Sequence, residues 1–358
     1  MGLQTKVISV REEQIESMDS DLREAGNVLR QGGLVAFPTE TVYGLGGDAL
    51  NRDSSKKIYA AKGRPSDNPL IVHICRMEDL PAVVDEVTPQ ARALAEAFWP
   101  GPLTMILPKS GQVPCETTGG LGTVAVRMPS HRVALRLIEY GGGFIAAPSA
   151  NLSGRPSPTL AKYVIEDMNG RVDVIIDGGE VGIGLESTIV DLTVTPPQIL
   201  RPGYITQEML TEVLGRVEMD RTIFDNDSGQ MPKAPGMKYR HYAPKGELTI
   251  VEGADTAVAA YISEHGAALR RAGEKVGIIC SEEQRAAFAG HVDSVKSVGG
   301  REDTETIAKR LYRYLREFDD EAVTVIYSES FDGAGMGQAV MNRLLKAAGH
   351  RVVRIPEA

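Results

Sequence analysis

The sequence predicts an α/β protein: a twisted mixed-sheet domain with an open polar cavity, then a smaller parallel α/β domain. Three observations lead there. The chain has 358 residues, 42% of them hydrophobic, enough for two cores rather than one. Short apolar runs in residues 5–218 are joined by connections of both hairpin and helix length, as a mixed sheet requires. From residue 247 onward, strand-like and helix-like stretches alternate regularly, as in a parallel α/β domain.

In chain order, a helix is expected over 20–33, ended by Gly32 and Gly33. A strand over 34–38 follows, then a helix over 53–63 with Asp53 or Ser54 as its N-cap. Further strands are expected at 69–74, 103–108, 123–129, 144–149, 172–179, 187–193 and 198–203, with helices at 89–99 and 131–141. Residues 219–246 read as an ordered linker between the domains. Residues 247–358 carry strands at 247–253, 275–280, 293–299 and 322–329, and helices at 255–273, 281–290, 304–318 and 337–349.

Composition narrows the function. A formal charge of −9 argues against gripping nucleic acid by overall charge, while leaving room for a local basic groove. Cys75, Cys115 and Cys280 lie far apart with no CxxC pair, which disfavours a zinc knuckle or a disulfide framework and fits a reducing cytoplasm. The first residues lack the apolar segment of a signal peptide, Lys6 stands where a myristoylation motif needs Ser or Thr, and no apolar run approaches a membrane span.

Five stretches of the first region place polar groups at strand ends or tight turns. "PTETVYGLG" (38–46) sets Thr39, Glu40, Thr41 and Tyr43 after a buried strand, either as a Thr-rich turn or as hydroxyls on a pocket floor. "KGRPSDNPLIVH" (62–73) holds Lys62 and Arg64, followed by Pro65, Ser66 and Asn68. Pro65 favours an extended backbone, and an extended segment points both cations to one side, where they suit a polyphosphate or a carboxylate. The alternative is a solvated basic pair, and His73 at the end of this stretch reads equally well as a core residue. "GTVAVRMPSH" (122–131) puts Thr123 and Arg127 on one strand face; Arg127 there needs an anion, from a ligand or from a structural salt bridge. "APSANLSGRPSPT" (147–159) supplies Ser149, Asn151, Ser153 and Ser157 in a turn that can cradle an anion, without a Walker-type phosphate loop. "GLESTIVDLT" (184–193) and "ILRPG" (199–203) add Ser187, Thr188, Asp191 and Arg201. The "GAGMG" at Gly333 does not meet the dinucleotide fingerprint and reads as a turn. Five such clusters in one region fit a single polar cavity.

The linker stretch "APGMKYRHYAP" (234–244) packs Lys238, Tyr239, Arg240, His241 and Tyr242 together, unlike a connector that needs only reach.

Taken with "FWPGPLT" (98–104), these stretches resemble the threonylcarbamoyl-AMP synthases in their long, two-domain form, in family order and over nearly the whole chain. The resemblance implies a nucleotidyltransferase that makes threonylcarbamoyl-adenylate from L-threonine, bicarbonate and ATP with Mg²⁺, releasing pyrophosphate. It implies a Rossmann-like accessory domain, a role in modifying the adenosine next to the anticodon of tRNAs that read codons beginning with A, and partner proteins that make the final transfer to tRNA. By resemblance, Thr41, His73, Arg127, Ala147 (through its backbone) and Ser187 hold threonine. Arg64, Asn68, Thr123, Ser149, Ser157, Arg201 and Tyr242 hold ATP. Lys62 and Arg64 are the catalytic cations, and the linker becomes a lid hinged at Gly236. A weak contact with tRNA is also expected. Two rival readings remain at this point: an RNA-binding module without catalysis, and a carbamoyl transferase acting on another acceptor.

Overall fold

A computed structural model describes residues 2–220, 223, 234 and 241–356. The expected linker therefore lies largely outside the described residues, and so do Gly236, Lys238, Tyr239 and Arg240. The chain divides into two compact units, Met1–Ser153 with Ser157–Lys238, and Gly154–Pro156 with Tyr239–Ala358.

The first unit is built on an eleven-stranded mixed sheet. Its strands are β1 (Lys6–Ser9), β2 (Val35–Phe37), β3 (Gly44–Asp48), β4 (Ile71–His73), β5 (Leu103–Pro108), β6 (Thr123–Arg127), β7 (Ile145–Ala146), β8 (Val174–Asp177), β9 (Thr188–Asp191), β10 (Gln198–Arg201) and β11 (Glu218–Met219). Their spatial order is β1-β8-β2-β3-β7-β4-β6-β5-β9-β10-β11. The helices are α1 (Asp19–Arg30), α2 (Arg52–Lys62), α3 (Leu80–Val83), α4 (Pro89–Phe98), α5 (Arg132–Tyr140), α6 (Ala161–Met168) and α7 (Gln207–Leu214).

Alternation along each strand sorts side chains between two faces. One face is all core: Val72, Val124, Val126, Leu103, Met105 and Val190 pack with Ile58, Leu94, Val164 and Leu210 from the helices. The other face is divided. Val35, Phe37, Ile145 and Ile176 lie under α1 and α5, through Leu22, Leu29, Val133 and Leu137. Over β4, β6, β5, β9 and β10 the same face carries a small separate cluster of Ile71, Ala125, Ile106, Ile189 and Leu200, joined by Ala234 and by no described helix residue.

Several local expectations need correcting. The side chain of Asn51, not Asp53 or Ser54, caps α2 by accepting from the Asp53 amide. Gly44 and Gly46, read from sequence as part of a turn, lie in β3, which pairs antiparallel with β2. A Cβ on Gly46 would come within 2.9 Å of Phe37 and 2.8 Å of Ile145, so glycine is what lets those two side chains pack there. The segment after α2 is not a continuous extended stretch. Gly63 takes φ 62° and the Arg64 amide bonds back to Tyr59 O, a left-handed helix stop between Lys62 and Arg64.

The second unit has five strands, β12 (Glu247–Glu252), β13 (Val276–Cys280), β14 (Ser294–Ser297), β15 (Val325–Glu329) and β16 (Val352–Arg354), ordered β14-β13-β15-β12-β16. Every pairing among them is parallel. Its helices are α8 (Asp255–Arg271), α9 (Thr304–Asp320) and α10 (Met336–Ala347). The helix expected over 281–290 is only a 3-10 turn, Arg285–Phe288, in which Phe288 alone is buried.

Candidate active site

The half of the face whose apolar cluster no described helix residue joins collects the polar residues. Register pairs His73 with Arg127, Arg127 with Thr104, Thr104 with Ile189 and Ile189 with Arg201, one transverse row across β4, β6, β5, β9 and β10. A register shift between Ile199 and Arg201 bends β10 at the end of the row. Three strand intervals of about 4.8 Å each put the Arg127 and Arg201 backbones about 14 Å apart, so one ligand between them can touch both side chains. Thr123 begins β6 on the same face as Arg127, two alternations earlier.

Loops wrap this row. Arg127 donates from Nη1 to Thr41 Oγ1 at 3.0 Å, and Thr41 Oγ1 lies 2.8 Å from Thr39 Oγ1. Arg127 Nη2 is 2.7 Å from Glu40 Oε1. The two are in ion-pair contact but poorly aligned, so Arg127 Nε and Nη2 and both Glu40 oxygens have no hydrogen-bond partner among the described residues. Orphaned polar atoms at this depth are costly, and a ligand carrying both an anion and an amine would satisfy them.

Ser187 Oγ sits 2.7 Å from Thr104 Oγ1, and Arg201 donates to Ser187 O at 3.0 Å and to its Oγ at 3.1 Å. Ser157 donates to Glu186 at 2.6 Å. The turn after β7 closes on the turn after β2 through Tyr43 N to Pro158 O and Ala150 N to Tyr43 O, at 3.0 and 2.8 Å. Lys62, 2% exposed, donates from the end of α2 to Ser149 O and, at 2.6 Å, to Asn151 O. Ser149 Oγ bonds Asn151 Oδ1 at 2.5 Å. Arg64 is held by Asn68 O and Pro69 O at 3.2 and 3.1 Å, and the buried Asn68 Oδ1 has no hydrogen-bond partner among the described residues. The Ala147 amide donates to Ile71 O at 2.9 Å. Lys62, Thr41, Arg127, Ser149, Ser157, Ser187 and Arg201 thus lie in loops and strands that bond to one another.

His73 is 4% exposed, with Nδ1 3.1 Å from Ile71 O and its ring edge-on to Phe37. Burial, then the Arg127 charge, push its pKa down to about 3 from 6.5. It is a neutral hydrogen-bonding group at working pH, not a proton donor. The unfolded chain takes up its proton near 6.5 and the folded one only near 3, so this histidine leaves stability intact above about pH 6.5 and erodes it as pH falls toward 3. Nuclear magnetic resonance should show no His73 titration between pH 5 and 8; a midpoint near 6.5 would contradict its burial.

Comparison with known proteins follows from this geometry. A family model described as "Telomere recombination" matches residues 27–203, and one described as "Threonylcarbamoyl-AMP synthase, C-terminal domain" matches residues 205–349. A threonylcarbamoyl-AMP synthase of Pyrococcus abyssi is 49% identical over 98% of this chain and 100% of its own length. The chain belongs to the threonylcarbamoyl-AMP synthase family. Its relative from Bacillus subtilis is 47% identical, covering 96% of this chain and 97% of that one. A crystal structure of the Pyrococcus abyssi Sua5 protein complexed with L-threonine matches with a TM-score of 0.91 at 47% identity, covering 98% of this chain and 100% of that one. The two-unit α/β architecture is therefore that of this family's enzymes.

Two groups of the site are inconspicuous in the sequence. Glu40 reads there only as part of a turn, yet it is the ion-pair partner of Arg127. Thr104 was hidden in an apolar run, and only strand alternation could have placed it on the polar face. Tyr242 stands apart from the others: it belongs to the second unit, at φ 66°, with its ring 5.1 Å from that of Tyr312. No helix among the described residues is long and apolar enough to cross a membrane.

Proposed function

We propose that this enzyme is a nucleotidyltransferase that condenses L-threonine, bicarbonate and ATP into threonylcarbamoyl-adenylate, pyrophosphate and water. The observation that carries the reading is the row His73–Arg127–Thr104–Arg201, with orphaned Arg127 and Glu40 atoms beside an apolar floor. An apolar floor with a few convergent polar groups suits a nucleotide and an amino acid side by side.

In the first step the threonine amine adds to the carbon of bicarbonate, and loss of water gives a carbamate. In the second, a carbamate oxygen attacks the α-phosphorus of ATP and pyrophosphate leaves. The attacking group is already anionic, so holding like charges together matters more than a strong base. Thr41, His73, Arg127, Ala147 (through its backbone) and Ser187 hold threonine. Arg64, Asn68, Thr123, Ser149, Ser157 and Arg201 hold ATP, and Lys62 serves both anions. Mg²⁺ enters on the triphosphate, the usual way for an ion that keeps much of its water. The product supplies the threonylcarbamoyl group for tRNAs reading codons that begin with A, through downstream transfer proteins, in the cytoplasm.

The linker acts as a lid. Its described residue Ala234 is fully buried in the apolar cluster on the site's face. A solved Pyrococcus abyssi relative carries an adjacent His–Tyr pair replaced by alanines, 48% identical to this chain over 98% of it; this chain has one such pair, His241–Tyr242. Tyr242→Ala should lower steady-state ATP turnover while the melting of the first unit stays put. Unchanged kinetics would remove the lid.

The deciding assay measures pyrophosphate release. It should require threonine and bicarbonate together and fall away with other amino acids. Salt-sensitive RNA binding without threonine-dependent turnover would favour the RNA-binding module, and equal turnover with other amino acids would favour a different carbamoyl acceptor.

A further inference from the structure

The two substrates proposed above are held by different segments. Thr41 and Glu40 lie on the turn after β2, against Arg127, while Ser149 and Ser157 lie on the turn after β7. A carbamate oxygen meets the α-phosphorus only if these two turns keep a fixed register, because a displacement of about 1 Å can cost about 100-fold in rate.

One residue joins the two turns. The Tyr43 amide donates to Pro158 O at 3.0 Å, and the Ala150 amide donates to Tyr43 O at 2.8 Å. Gly44 then bridges Ser149 in an antiparallel pair, and the Leu45 amide donates to Pro148 O at 2.8 Å. Residues 43–45 therefore run alongside 148–150 in a single register that begins at Tyr43.

The side chain anchors that register to a third segment. Tyr43 is fully buried. Its hydroxyl donates to Gly179 O at 2.6 Å and accepts from the Gly178 amide at 3.0 Å, just after β8. The start of the same turn rests there too: a Cβ on Gly178 would stand 2.4 Å from Pro38 Cγ. Behind the glycines, Asp177 Oδ1 accepts from the Gly179 amide at 2.9 Å, and Arg11 Nη1 donates to Asp177 Oδ1 and to Asp177 O, both at 2.8 Å. Residues 38–43 are thus pinned at both ends to Gly178 and Gly179. Between those ends, the Ile183 and Gly184 amides donate to Glu40 O and Thr41 O at 2.8 and 3.0 Å. Burial raises the pKa of the phenol, so the hydroxyl keeps its proton, and that proton is committed to Gly179 O. Tyr43 has no donor left for a substrate and acts through its neighbours.

We propose that Tyr43 is a positioning residue that locks the threonine-side turn against the ATP-side turn and so sets the distance between the carbamate oxygen and the α-phosphorus. This rests on the substrates proposed above. Its signature differs from that of Thr41 or Ser149, which touch substrate: rate falls while affinity holds.

Tyr43→Phe tests it, because the ring stays and only the hydroxyl goes. Single-turnover pyrophosphate release at saturating threonine, bicarbonate and ATP should fall about 10- to 100-fold. Calorimetric titration should give dissociation constants for threonine and for a non-hydrolysable ATP analogue within about threefold of the parent, with the molar binding ratio reporting the folded fraction. Gly178→Ala, which crowds Pro38 at the other end of the turn, should show the same split. Leu29→Ala, a truncation in the core under α1, is the stability control and should keep the parent rate per folded molecule. A Tyr43→Phe rate within about threefold of the parent, affinity lost in step with rate, or an equal loss of rate in Leu29→Ala would overturn the proposal. A parent chain that releases no threonine-dependent pyrophosphate would overturn the substrate assignment itself, and the proposal with it.

Discussion

Replacing Lys62 by methionine should lower threonine-dependent pyrophosphate release about 100- to 1,000-fold, the usual cost of removing one group that stabilises developing charge. Methionine preserves the apolar stem and removes only the ammonium. That ammonium stands at the end of α2, 2% exposed, and its bonds to Ser149 O and Asn151 O fix the turn that carries Ser149 and Ser157. The loss therefore combines missing charge with a loosened turn. The two carbonyls left without a donor cost about 1–3 kcal/mol each in stability, so rates must be normalised to folded protein. Lys62→Arg separates the contributions: charge returns, but a planar fork cannot replace a compact three-donor group between two carbonyls. We expect arginine to recover stability more than rate. A kcat/KM within threefold of the parent for Lys62→Met would remove this residue from the chemistry.

Arg127→Met should raise the KM for threonine about 30- to 150-fold, equivalent to about 2–3 kcal/mol of lost carboxylate pairing. The same change strands Glu40, whose side chain is 13% exposed and whose ion-pair partner is Arg127. An uncompensated buried carboxylate costs about 3–5 kcal/mol, so the single variant should melt well below the parent. The double variant Glu40→Gln, Arg127→Met removes both charges. It should recover most of the lost stability and none of the threonine affinity. Recovery of both would mean that Arg127 serves the fold alone.

How much of this was legible beforehand follows from which signals are local. Strand β6 could be read because Val124 and Val126 alternate with Thr123, Ala125 and Arg127, and alternation is a property of neighbouring residues. Helix α5 could be read for the same reason at a different period, with Val133, Ala134, Leu137 and Ile138 buried. Strand β3 could not, because "GLGGD" has glycines where a strand normally shows side chains. Their purpose, room for Phe37 and Ile145, lies in distant parts of the chain. The sequence has the paired cations facing one way only if their segment is extended, and Gly63 instead adopts a left-handed turn that other residues resist. At the site, Arg127 and Arg201 stood out because charge in an apolar strand is conspicuous. Glu40 and Thr104 did not, since their roles rest on partners 87 and 83 residues away, Arg127 and Ser187.

The central claim is that one face of the first unit receives threonine and ATP together. A crystal of the full chain soaked with L-threonine and a non-hydrolysable ATP analogue tests it most directly. The account predicts the threonine carboxylate at Arg127, its amine toward Glu40, and the triphosphate between Lys62 and Arg201, with the α-phosphorus facing the amine. Threonine and nucleotide bound on different faces of the sheet, or Arg127 still paired only with Glu40 and Thr41 in the saturated complex, would contradict it.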